Sequence, residues 1–112
     1  MTFTVVQFKK FVQAVMTTSA ATIYTVPASS QDVLKCLDIT NTNSVAVAFS
    51  VYLVPNAGAV ANGNALFFGV TLPGYTTLHW TGTQVLNAGD FIAVVAAVVS
   101  SITIIASGLE SQ

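Results

Sequence analysis

Residues Phe91 to Ala106 form a run of sixteen with no charged side chain, and the fold depends on whether that run is one membrane helix or two β-strands. A spanning helix needs about 20 predominantly apolar residues. This run is shorter, with Ser100 and Ser101 near its middle and Thr103 just beyond. Its apolar positions are also of the wrong kind. Ile92, Val94, Val95, Val98, Val99, Ile102, Thr103, Ile104 and Ile105 are β-branched, restricted at χ1 in a helix and well suited to a pleated surface. No basic anchor lies near the segment, since Lys9, Lys10 and Lys35 are the only cationic side chains. The run is read as strand, polar break and strand, each of ordinary length, with Asn87-Ala88-Gly89-Asp90 as the turn before the first.

Five further segments show the same period-2 pattern between turn-forming residues. With the two strands above they make seven runs: 21–27, 33–41, 45–54, 65–72, 76–86, 91–99 and 101–108. In the third, Val45, Val47, Phe49, Val51 and Leu53 share one face, expected to be core, while Ala46, Ala48, Ser50 and Tyr52 share a thin and flat one. Pro27 to Gln31, Asn41 to Ser44, the long Pro55 to Asn64 segment and Pro73-Gly74-Tyr75 supply the breaks. No helical segment interrupts 21–112, which argues against a parallel α/β sheet. The expected fold is all-β, an antiparallel β-sandwich of jelly-roll or Ig-like kind, with residues 1–20 as an N-terminal arm and 21–112 as the sandwich domain. In the arm, Phe8, Phe11, Val12, Val15 and Met16 follow helical spacing, whereas Phe3 and Val5 alternate with Thr2 and Thr4 as in a strand. Either way its apolar stripe is expected to pack on a neighbouring subunit.

Composition then narrows the function. At 112 residues the chain makes one domain, large enough for a core without disulfides or a structural metal. It is 54% hydrophobic and only 6% charged, against about 25% charged in ordinary soluble domains. Seven charged side chains cannot build the mixed charged surface of a free monomer, so part of the surface is expected to be buried in a homo-oligomer. A net charge of −1 lacks the basic footprint of a nucleic-acid binder. The single Cys36 cannot form an intrachain disulfide, and lysines inside the first apolar stretch are wrong for a signal peptide.

Little supports catalysis. The chain has one His, one Cys, three Asp and one Glu, and no pattern places a second polar group to activate His79, Cys36 or Asp90. Asp90, following Gly89, is expected to bond backbone amides of its turn. No cofactor or metal ligand set is expected, and the glycines fit no phosphate-loop spacing. Candidate interface residues are Phe8, Phe11, Val12 and Val15 in the arm, His79 in its strand, and Val95 and Val99 in the run that is apolar on both faces. Tyr75 and Trp80 complete the set; they suggest either an interface or an aromatic platform for a sugar.

The segments Thr22-Ile23-Tyr24-Thr25-Val26-Pro27-Ala28, Ile39-Thr40-Asn41-Thr42, Leu86-Asn87-Ala88-Gly89-Asp90 and Ser107-Gly108-Leu109-Glu110 together resemble small structural proteins of tailed-bacteriophage virions, over most of residues 20–110. The resemblance implies a sandwich that acts by binding, most simply a capsid cement or decoration protein on the major capsid protein, in a virion assembled in the host cytoplasm. A tail or fibre accessory module and a carbohydrate-binding sandwich are the alternatives. It brings no catalytic residues, and the first 20 residues have no counterpart in it.

Overall fold

The computed structural model describes residues 5–112. Eight strands carry the fold: β1 (Val6–Val15), β2 (Ala21–Thr25), β3 (Gln31–Asn41), β4 (Val47–Val54), β5 (Ala65–Leu72), β6 (Thr77–Leu86), β7 (Phe91–Ala96) and β8 (Ile102–Ser111), with a short 3-10 turn at Asn62–Asn64. They form two four-stranded antiparallel sheets, ordered β1-β8-β3-β6 and β2-β7-β4-β5. Strand β1 pairs with β8, β2 with β7, β3 with β6 and β4 with β5. The pairs are nested, as if one long antiparallel hairpin had been rolled up, which is the jelly-roll arrangement. That topology decides between the two sandwich types left open by the strand pattern.

The opening run resolves into β7, a turn over 97–101 and the start of β8. Ser100 takes a left-handed conformation at φ 57° and Ser101 is buried, accepting a hydrogen bond from Asn43 Nδ2. Among the described residues no helix is long and apolar enough to cross a membrane. β7 lies between β2 and β4, so both its backbone edges are paired. Its Ile92, Val94 and Ala96 enter the core, and Ala93 is covered on the opposite face by a small cluster with Tyr52 and Val54. The alternate face of β4 is therefore thicker than its Ala-Ser-Tyr pattern suggests. Val47, Phe49 and Val51 do form the core face, with Leu53 partly buried against it, while Val45 precedes the strand and is exposed.

Within the N-terminal arm the expectation fails over residues 6–16, while Phe3 and its alternation with Thr2 and Thr4 lie outside the described residues. Residues 6–15 are not an appendage but a sheet strand, paired along its length with β8. The register shifts between Lys10 and Val12, and such a bulge gives one strand an extra residue. Phe11 is buried, Val12 and Ala14 pack against the core from the same strand, and Met16 beyond its end is buried to 1% exposure. The bulge also explains the false helical spacing: Phe8 and Val15 belong to the outer face, Phe11, Val12 and Met16 to the inner, and the inserted residue brings the two sets into an i, i+3, i+4 pattern. A second bulge, between Leu34 and Cys36, runs across the β3–β6 and β3–β8 pairings. Gly108 stands beside it, where an added Cβ would fall 1.9 Å from the Val33 carbonyl oxygen.

Candidate binding face

Because side chains alternate along each strand, register decides which residues share the solvent face of the β1-β8-β3-β6 sheet. Phe8 is opposite Leu109, Leu109 opposite Val33, and Val33 opposite Val85. These four make an apolar stripe that crosses all four strands. Phe8 is 90% exposed and Val85 54% exposed. Beside the stripe a groove of about 480 Å³ is lined by Phe8, Leu109, Ser107, Lys10 and Lys35. Among the described residues Lys10 bonds the Gln13 amide and Lys35 the Thr83 hydroxyl, so the groove sets apolar side chains beside two cations, with Lys9 of the Glu110 ion pair also at its wall.

Not all nine proposed interface residues reach such a surface. Phe8 and Val15 do so from β1, and His79 does so from β6. Tyr75 is exposed on the β5–β6 turn, in a left-handed conformation at φ 56°. Val99 is exposed on the 97–101 turn, and Val95 is half-buried beside the cluster on the outer face of the second sheet. Three point the other way. Phe11 stacks on Tyr24 with ring centroids 5.1 Å apart, and Val12 and Trp80 pack against the core. Trp80 stands opposite the buried Leu37 and so faces inward, with its ring over Gly82, a position without a side chain to hold it off. Among the described residues the aromatic pairs are Phe11–Tyr24 and Phe49–Phe67, so Tyr75 and Trp80 do not make a common platform.

Pairing also assembles a group that the linear pattern keeps apart. Cys36 and Asp38 are two positions apart on β3, and His79 on β6 is directly opposite Asp38. His79 Nδ1 lies 2.5 Å from Asp38 Oδ1 and 3.9 Å from Cys36 Sγ, with Cys36 Sγ 3.8 Å from Asp38 Oδ2. No local motif joins them, since the link is cross-strand.

A second polar cluster is internal, at one end of the sandwich. Asp32 on β3 and Glu110 on β8 are cross-strand partners on the inner face and both are buried. Lys9 Nζ is 2.9 Å from Glu110 Oε2, and the Tyr24 hydroxyl bonds the Asp32 carboxylate and lies 3.3 Å from Glu110. Among the described residues Asp32 Oδ1 has no hydrogen-bond partner. Burial raises the Asp32 carboxyl to about 6, an effect that the Tyr24 hydroxyl opposes and the Glu110 carboxylate reinforces. Burial also pushes Glu110 upward, but the hydrogen bond and charge of Lys9 outweigh it and hold Glu110 below its ordinary value.

This arrangement predicts an unusual pH response. A raised Asp32 pKa means that its favourable contribution is complete below its unfolded pKa and is lost as pH rises toward 6. Asp32→Asn keeps an acceptor for Tyr24 and removes the buried charge. It is expected to match the natural chain near pH 4 and exceed it above pH 6 by on the order of 1–3 kcal/mol. Urea denaturation at both pH values measures the difference, and equal stabilities at high pH would refute it. Glu110 acts in the opposite sense, its contribution fading as pH falls below its ordinary value.

The described residues thus form an eight-stranded jelly-roll sandwich with an apolar stripe across the outer face of one sheet. No protein-family model and no curated protein sequence matches the chain. Among solved structures it is similar to a chain in the structure of infectious bursal disease virus, Gx strain, at 10% identity and a TM-score of 0.42, over 97% of this chain and 33% of that one. The chain thus spans about a third of the length of that viral chain.

Proposed function

We propose that this chain is a virion structural protein, a cement or decoration protein of a tailed phage that binds the major capsid protein and its own copies through the outer face of the β1-β8-β3-β6 sheet. The observation that carries the reading is the Phe8–Leu109–Val33–Val85 stripe, exposed at both ends on a chain with 6% charged residues. Apolar surface of that kind on a soluble chain marks a site of association. The resemblance of the 22–28 and 86–90 segments to phage virion proteins supports the same reading. Function would then be contact: burial contributes roughly 25 cal/mol per Å² of apolar area, less the costs of immobilising the partners. A carbohydrate-binding role is weakened because Trp80 lies against the core.

Three measurements test this. Quantitative mass spectrometry of purified virions is expected to find the chain at hundreds of copies; a few copies would favour a tail or fibre accessory, and absence would overturn the proposal. Light scattering at micromolar concentration is expected to show a dimer or trimer. Phe8→Asp, at an almost fully exposed position, is expected to weaken particle binding by about tenfold or more while leaving the melting temperature nearly unchanged.

A further inference from the structure

We propose that Cys36, Asp38 and His79 form a binding site for a divalent transition-metal ion of the zinc class on the outer face of the β1-β8-β3-β6 sheet, with water completing the coordination. The three candidate donor atoms lie within 4.8 Å of one another. A tetrahedral zinc ion with bonds of about 2.0–2.3 Å would separate its ligand atoms by about 3.3–3.6 Å. The two sulfur distances, 3.8 and 3.9 Å, need to close by only a few tenths of an ångström. The Asp38–His79 hydrogen bond at 2.5 Å must open by somewhat less than 1 Å, within reach of side-chain rotation at a site that is partly exposed. Metal binding through Nδ1 requires the imidazole proton on Nε2, and the thiol gives its proton to solvent as the thiolate forms.

The ligand set indicates the ion. Thiolate and imidazole favour zinc-class metals, whereas magnesium and calcium take oxygen ligands. One thiolate and one carboxylate neutralise the dication, so the occupied site carries no net charge of its own. The backbone beneath is well held, since β3 is paired on both sides, with β6 and β8. Ser107 on β8 stands opposite Cys36, placed to donate a hydrogen bond to the thiolate, the kind of outer contact that tunes metal affinity.

The test uses the full-length, untagged chain, reduced, stripped with chelator and titrated with Co²⁺ or Zn²⁺ alone. One Co²⁺ per chain is expected, with a near-ultraviolet thiolate-to-cobalt absorption that Zn²⁺ displaces. Cys36→Ser is expected to abolish that absorption. His79→Gln and Asp38→Asn should each weaken binding by roughly tenfold or more, because losing an outer-shell partner alone costs about 10–100-fold. Circular dichroism of the metal-free variants checks that they fold. A further readout needs no variant: Zn²⁺ is expected to slow alkylation of Cys36 by iodoacetamide. Absence of the thiolate absorption in the natural chain, an alkylation rate indifferent to Zn²⁺, or undiminished binding in all three variants would overturn the proposal.

Discussion

Deleting residues 1–19 is expected to unfold the protein, with loss of the β-sheet circular dichroism signal and of any cooperative thermal transition. The deletion removes β1, the full-length partner of β8. It takes Phe11 and Met16 out of the core, and each large-to-small loss at such sites costs about 2–5 kcal/mol even when the backbone remains. It also removes Lys9, leaving Glu110 buried without its cation next to Asp32, a change that costs about 3–5 kcal/mol where a buried pair is broken. Together these approach or exceed the roughly 5–15 kcal/mol that separates native from unfolded domains. A truncated chain that still melts cooperatively would show that β1 is an accessory strand.

Phe49→Ala should cost about 3–5 kcal/mol in chemical denaturation. Phe49 is 2% exposed at the centre of the β4 core face and meets Phe67 edge to face at 6.0 Å between ring centroids. Truncation forfeits the apolar burial and leaves a cavity between two sheets that cannot close without breaking strand pairings. Two milder substitutions set the scale. Asp90 accepts backbone N–H bonds from Asn87 at 2.8 Å and from Asn56 at 2.9 Å, joining its own turn to the long loop, so Asp90→Ala should cost about 1–2 kcal/mol. Cys36→Ala, half-buried on an outer face, should cost less than about 1 kcal/mol in the absence of metal. A reversed order would mean that the Phe49 face of β4 points outward.

What could be read directly was whatever is local. Period-2 alternation and turn chemistry act over a few residues, so the seven runs after residue 20 correspond to β2 through β8, and the Asn87-to-Asp90 turn forms with its Asp bonding a turn amide. The inward turn of Phe49 follows from the same alternation. At β1 a bulge adds one residue and shifts the phase of the pattern, and such a bulge shows only in the pairing with β8. Trp80 was misjudged for a related reason: alternation separates it from His79 but does not say which of the two faces is the core.

Tertiary structure alone decided the rest, because strand pairing joins positions that the chain keeps far apart. The nested order that makes a jelly roll depends on which strands meet, and hydrophobic pattern specifies a strand's face, not its neighbour. The Lys9–Glu110 ion pair spans 101 positions and the Cys36–His79 approach 43. The apolar stripe draws one residue from each of four strands. Alternation and composition determined that this chain makes a sandwich with more apolar surface than its charges can cover; register determined where that surface lies, since a one-residue slip would exchange the Phe8–Leu109–Val33–Val85 face for the core.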